Sequence, residues 1–347
     1  MNAYLEFAKS LEWKNDVSLF ICEEYQSFLL GKINAVISSQ DEISEELKSL
    51  LDQMDETEFH SFIRIPFVAK LFYGNLKNEE NTKLRLLEYA FSYLSWLNKL
   101  PSKYDFKNIP ADGLRRANNS MPLEQRVNYP LPLSAKSSIK IPGMNRGGND
   151  LCMLSFNTLE TELSKITSIC QRISELSEKT WELVAIGTEC LVLRTEMTEH
   201  DRFSSASFRG LAGLNLIINS HATSVEVIMD AIIHEAIHSV LYQLEPTHGA
   251  FFIDDTTSAA LVQSPWTSNT INTDNLAQAC FVWYGLFNFW SKVIIDSDDV
   301  NEISFGKYNV NKISNGFRKL SLMPFNNHLN TDMKKAILYM VSMFYGK

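Results

Sequence analysis

Cysteine is scarce in this chain of 347 residues. The five present (Cys22, Cys152, Cys170, Cys190, Cys280) are odd in number, far apart and never arranged as CxxC. That argues against a disulfide framework and predicts reduced, mostly buried thiols in a cytosolic setting. A chain of this length can bury a sizeable core and needs no covalent or metal staple to fold. Long apolar runs are missing too. The most apolar stretch, Cys280 to Trp290, is too short to cross a bilayer and is broken by Gly285 and Asn288. The first residues, Met1 to Phe7, lack a basic segment followed by an apolar one, so no secretory signal is expected. Positive charge is in deficit: 32 Lys and Arg stand against 41 Asp and Glu, a formal net charge of −9 and a pI near 5.4. Phosphate affinity depends on neutralisation by Lys and Arg, so a general nucleic-acid binder is disfavoured. The expectation is a soluble cytoplasmic protein with neither nucleic acid nor membrane as partner.

What is present is a globular composition, 45% hydrophobic and 21% charged, enough for one large domain or two small ones. Apolar residues recur at helical spacing over Leu5–Val36, Ile43–Met54, Glu56–Tyr73 and Thr82–Leu97, with a kink expected at Pro66. Six of the ten prolines (Pro101, Pro110, Pro122, Pro130, Pro132, Pro142) then fall in 101–150, which reads as a long loop or linker. Asn157 and Glu160 predict the start of a further helix, and Leu183–Arg194 and Leu211–Ile218 read as strands. Thr223 with Glu226 has the form of a capping box for a helix running to about Leu244 and stopped by Pro246. Helices near Leu276–Ile295 and Asp332–Phe344 complete the reading. The fold class expected is α+β, predominantly helical, with a small β-sheet packed by the Thr223–Leu244 helix and its neighbours. By region, 1–100 is an N-terminal helical part, 101–150 a Pro-rich loop or linker, and 151–347 a metal-binding α+β part.

The metal enters through His234-Glu235-Ala236-Ile237-His238, an HExxH pattern inside the predicted Thr223–Leu244 helix. Residues i and i+4 share one helical face, so two imidazoles can reach one ion with Glu235 beside them. Two imidazoles need a further ligand. Glu245, His248, Asp254 and Asp255, read as a loop after the helix, are candidates, as is Gln278 on the next helix. His248 is favoured by ligand chemistry, and Asp254 or Asp255 would complete a set of two histidines and one carboxylate. A zinc peptidase would use Glu235 as general base. An iron(II) oxygenase would need more open positions and a cation for its cosubstrate's far carboxylate, for which Arg194, Arg202 and Arg209 are available. The spacing of HExxH by itself favours zinc. The aromatic residues Phe281, Trp283, Tyr284, Phe287, Phe289 and Trp290 read either as hydrophobic core or as the wall of a dry pocket.

Further segments accompany the motif: Gly210-Leu211-Ala212-Gly213-Leu214-Asn215-Leu216-Ile217 before it, Ser264-Pro265-Trp266 after it, the aromatic helix Leu276–Phe287, and Leu50–Tyr73 near the start. Together these resemble the HExxH-motif proteins encoded beside ribosomally made, modified peptides, whose members act as iron(II)- and 2-oxoglutarate-dependent peptide β-hydroxylases. The resemblance covers the N-terminal helices and 183–290. It implies that His234 and His238 bind iron, that Glu235 has a supporting role, that an arginine such as Arg209 holds the far carboxylate of 2-oxoglutarate, and that a precursor peptide is the substrate. Many members carry an Arg-Pro and then a histidine on the helix after Ser-Pro-Trp. Here Phe281 or its neighbours occupy that place, which leaves the third ligand open between a substituted residue and an altered site. Two other readings stand beside this one: a zinc endopeptidase that trims a leader or precursor peptide, and a catalytically silent peptide-binding partner.

Overall fold

The computed structural model describes residues 2–14, 18–39, 41–73, 79–97, 151–152, 156–196, 202–253, 260–320 and 329–345. The loop or linker expected at 101–150 lies outside the described residues, as do Asp254 and Asp255. Among those described, the helices are α1 (Ala3–Ser10), α2 (Ser18–Ile37), α3 (Glu42–Leu51), α4 (Glu56–Arg64), α5 (Pro66–Lys70), α6 (Glu79–Trp96), α7 (Phe156–Leu176), α8 (Glu178–Gly187), α9 (Val225–His248), α10 (Thr273–Asp296), α11 (Val300–Lys319) and α12 (Thr331–Tyr345). The strands are β1 (Leu151–Cys152), β2 (Cys190–Glu196), β3 (Ser204–Ser207), β4 (Leu214–Ile218), β5 (Leu261–Gln263) and β6 (Thr270–Asn272). The class is the expected helix-rich α+β. No described helix is long and apolar enough to cross a membrane. Of the cysteines whose side chains are described, Cys170, Cys190 and Cys280 are buried.

The described residues form two compact units that interleave along the chain. The first takes Met1–Tyr25, Ile169–Gly187 and Ser224–Lys347; the second takes Gln26–Ser168 and Thr188–Thr223.

In the second unit, β2 runs parallel to β4 with Cys190 opposite Leu214, β3 pairs antiparallel on the far side of β4, and β1 adds antiparallel to β2. β4 (Leu-Asn-Leu-Ile-Ile) is buried at every position, the pattern of a central strand covered on both faces. The segment Leu211–Ile218, read as a strand, is a turn followed by a strand. Gly210 and Gly213 hold φ of 82° and 88°, a region that favours glycine, and β4 begins only at Leu214. Leu183–Arg194 also divides. Its first residues end α8, and β2 starts at Cys190. Gly187-Thr188-Glu189 mark the change of period inside that run. Pro66 breaks the predicted third helix outright. Ile65 turns to extended backbone (φ −53°, ψ 123°), and Pro66 opens α5 at a position where its missing N–H costs nothing.

The first unit is built around α9 and α10. On α9, Ile228, Met229, Ile232, Ile233, Ala236, Ile237, Val240, Leu241 and Leu244 are buried, a stripe broad enough to pack against more than one neighbour. Its N-cap is Ser224, without a side-chain cap bond, so the Thr223–Glu226 box does not form. Thr223 instead closes the short 3-10 turn Ser220–Ala222. The helix also runs through Pro246 to His248, and the Gly249 N–H returns to the Glu245 carbonyl at 2.9 Å. On α10, the Asn272 side chain accepts from the Asn275 N–H at 2.7 Å, a sound N-cap. α11 starts at Asp299, whose carboxylate accepts from the N–H groups of Asn301 and Glu302.

Candidate metal site

α9 and α10 run antiparallel. Three contacts show it: His238 meets Gln278, the His234 ring meets Trp283, and Asp230 accepts from the Trp290 indole at 2.7 Å. Asp230, His234, His238 and Tyr242 follow one another at i+4, forming a polar stripe along the face of α9. The His234 and His238 ring centres are 5.0 Å apart. Two imidazoles that share one ion at about 2.1 Å hold their centres about 5 Å apart, so this spacing fits a common metal.

The depth of α9 is set by two close approaches, both within the motif. A Cβ on Gly187 would collide with the backbone carbonyl of Ala236, and one on Gly285 would lie 2.6 Å from Ile237 Cδ1. The glycines of α8 and α10 therefore accept the two interior residues of HExxH, and the histidines on the adjoining face are positioned by that contact.

His238 is oriented by a relay. Its Nδ1 lies 2.9 Å from Gln278 Oε1, and Gln278 Nε2 donates to Asp274 Oδ2 at 2.8 Å. Asp274, as a carboxylate, can only accept, which turns the amide nitrogen toward it and the amide oxygen toward the ring. His238 consequently carries its proton on Nδ1 and offers the Nε2 lone pair to a metal or an acid. Such outer partners fix the tautomer and aim of a metal-binding imidazole. His234 packs edge-on to Trp283 at 6.1 Å, and His238 stacks with Tyr242 at 6.1 Å. Burial pulls the His234 pKa down to about 4. The charge of Glu235 opposes that fall, while His238 and Lys312 add to it. The ring is thus neutral near pH 7, with a lone pair available.

The other expected ligands fare differently. Gln278, 2% exposed, uses its amide oxygen on His238 and serves as an orienting partner. Glu245 and His248 lie not on a loop but on α9 itself, seven and ten residues beyond His238. That displaces them by about 10 and 15 Å along the axis. His248 Nε2 pairs with Glu24 Oε2 at 2.5 Å, and the continuation of the helix through Pro246 sets His248 apart from the His234–His238 pair. Among the described residues, no group of three or more His, Cys, Asp and Glu gathers where it could hold a metal ion. Glu235 is 5% exposed and lies beside His234. Arg209 and Arg202 are exposed residues of the second unit, and of Arg194 only the backbone, in β2, is described.

Ser264-Pro265-Trp266 forms the turn of the β5–β6 hairpin, closed by Ser264 N–H to the Asn269 carbonyl at 2.8 Å. Trp266 stacks on Trp283 (6.1 Å) and donates to the Ile313 carbonyl at 3.2 Å. Of the aromatic residues on α10, Phe281, Tyr284, Phe289 and Trp290 are core. From α10, Trp283 is the residue whose ring meets the histidine pair.

Asp274, Lys312 and the Tyr242 ring against His238 were not anticipated. Asp274 is paired with Gln278 at i+4, a spacing visible in the sequence. Lys312, over the Trp283 ring at 4.5 Å, comes from α11, a helix the sequence reading had missed. No protein-family model matches the chain, and no curated protein matches it.

Proposed function

We propose that the chain is a cytoplasmic iron(II)- and 2-oxoglutarate-dependent oxygenase that hydroxylates the β-carbon of a side chain in a ribosomally made precursor peptide. The observation that carries this reading is the oriented histidine pair, with ring centres 5.0 Å apart and His238 Nδ1 bonded to Gln278. When bound, iron(II) with 2-oxoglutarate and dioxygen supplies the oxidising chemistry: one oxygen atom enters the substrate C–H bond, the other ends in succinate, and carbon dioxide leaves. His234 and His238 would hold the ion. Gln278 and Asp274 keep the His238 lone pair pointing outward. Trp283 and Tyr242 flank the pair and limit access of water, which protects a reactive centre. Glu235 places a negative charge next to His234 and so favours a cation there. The peptide would lie along the β5–β6 hairpin. Among the described residues these two strands pair only with each other, which leaves an edge of backbone groups free for an extended segment.

A second reading, a zinc peptidase acting on a leader or precursor peptide, is favoured by Glu235 itself, which holds the general-base position of the motif and lies beside His234.

The deciding experiment is anaerobic reconstitution with iron(II), with and without 2-oxoglutarate. A visible charge-transfer band that needs both components and is lost in His238→Ala supports the oxygenase. One tightly held zinc, no band, and peptide cleavage abolished by Glu235→Gln would support the peptidase. Neither metal at stoichiometry, with peptide binding unchanged in His234→Ala, would make the protein a binding partner without catalysis.

A further inference from the structure

On α11, Phe305, Asn309, Lys312 and Gly316 recur at spacings of four, three and four, which lines them along one side of the helix. Three of them have partners that mark the levels on that side. Phe305 packs edge-on against Trp290 with ring centres 4.8 Å apart, the Lys312 ammonium lies 4.5 Å from the centre of the Trp283 ring, and Trp266 covers Gly316. Asn309 therefore stands between the level of Trp290 and that of Trp283.

Two donors on this side have no acceptor. Asn309 is 5% exposed, and its Nδ2 is buried without a hydrogen-bond partner among the described residues. Lys312 is half-buried. Among the described residues its ammonium makes no ion pair or hydrogen bond, and its one close partner is the face of Trp283. Asp230 acts on it electrostatically, but forms no ion pair with it and has Oδ1 engaged by the Trp290 indole. A desolvated ammonium and a buried amide N–H without acceptors are both unfavourable, and an aromatic face offsets only part of that.

One kind of ligand satisfies both donors: a compact anion with acceptor oxygens. A carboxylate, with a single charge, suits one ammonium that already has Asp230 nearby better than a phosphate dianion does. The place is informative as well. Lys312 lies over the Trp283 ring at 4.5 Å, and the same ring meets His234 nearly at right angles, at 6.1 Å between ring centres. The ammonium and the His234 ring thus share one indole as neighbour, a separation that a chain of a few carbons can bridge.

We propose that Lys312, assisted by Asn309, anchors the far carboxylate of a short dicarboxylate whose other end reaches the His234–His238 pair. The assignment rests on the metal reading above for that second end only, and it gives Lys312 the part expected of Arg209.

The test titrates the full-length, metal-free protein with glutarate, which has two carboxylates and no keto group. It compares wild type with Lys312→Met, Lys312→Arg and Asn309→Leu. Lys312→Met is expected to weaken glutarate at least tenfold and Lys312→Arg to restore it to within about threefold, with thermal melting showing each variant folded. If Lys312→Met does not fold, the same loss is read in Lys312→Gln. Equal affinity in wild type and variants, no binding at millimolar glutarate, or tighter Lys312-dependent binding of inorganic phosphate overturns the proposal.

The iron experiment separates the two readings. Lys312-dependent glutarate binding without a charge-transfer band would sink the oxygenase alone. A band whose 2-oxoglutarate dependence is unchanged in Lys312→Met would sink the Lys312 assignment alone.

Discussion

Gln278 holds His238 from one side only: its amide oxygen faces the imidazole Nδ1 at 2.9 Å while its amide nitrogen faces Asp274 at 2.8 Å. The carboxylate decides which way the amide points, and the amide decides which ring nitrogen carries the proton. Replacing Gln278 with Met removes this control without adding charge. Metal affinity, measured by competition with a chelating indicator, should fall by about ten- to a hundredfold. Asp274→Asn should fall less, because an asparagine oxygen can still accept from the Gln278 nitrogen.

Gly187 and Gly285 predict a graded pair. Alanine at either position overpacks the contact with α9, a change that typically costs about 1–3 kcal/mol. The Gly187 clash is with the rigid carbonyl of Ala236, whereas the Gly285 clash is with the end of the Ile237 side chain, which can turn aside. Chemical denaturation should show Gly187→Ala as the more destabilised. The loss in Gly285→Ala should be partly recovered by adding Ile237→Val, and Gly187→Ala should have no such rescue.

Asp230 should destabilise the protein at neutral pH. Burial raises its pKa to about 6, against the opposing effects of the Trp290 indole and Lys312. An acid whose pKa is higher when folded binds more protons in the native state, so its contribution to stability falls as pH rises between roughly 4 and 6. Asp230→Asn keeps an acceptor for Trp290 and removes the buried charge. It should stabilise the protein at pH 7 by up to about 2–3 kcal/mol, a gain that disappears below about pH 4. Melting temperatures of both proteins across that range would test this, and a gain that persists unchanged at low pH would reject it.

Arg172 and Glu302 form a forked pair, with Nε and one terminal nitrogen each 2.8 Å from a carboxylate oxygen and Ser297 donating to the same carboxylate at 2.5 Å. Arg172 is the main cause of the lowered Glu302 pKa. A lowered carboxyl pKa stabilises the fold above its unfolded value, and that stability is lost as acid protonates it. Arg172→Met should cost about 1–3 kcal/mol at pH 7, toward the low end because Arg172 is partly exposed, and should flatten the acid limb of the stability profile.

Much of this arrangement was legible in the chain because periodicity and capping act locally. The α9 helix, its histidine pair and the position of Gln278 one helix later follow from spacing alone. Pro246 misled. A proline near the end of a helix removes few bonds, so α9 continues and carries His248 away from His238 instead of releasing it onto a loop. Val300–Lys319 was harder still. With four asparagines and two glycines it has weak helix propensity. It is helical because Gly306 admits Trp290 and Gly316 admits Trp266, contacts made by residues distant in sequence. That helix carries Lys312, the cation that lies over the Trp283 ring beside the histidine pair.

The contact of Gly187 with Ala236 and of Gly285 with Ile237 changes what the motif's two unspecified letters mean here. A search pattern treats them as wildcards. In a library randomised across 234–238, however, position 236, whose side chain is fully buried and whose backbone lies against Gly187, should favour small residues, and position 237 should accept only a narrow set of aliphatic residues. Variants chosen for keeping both histidines would then often fail before any metal was offered, and grafting His234–His238 onto another helix would require importing the two facing glycines as well.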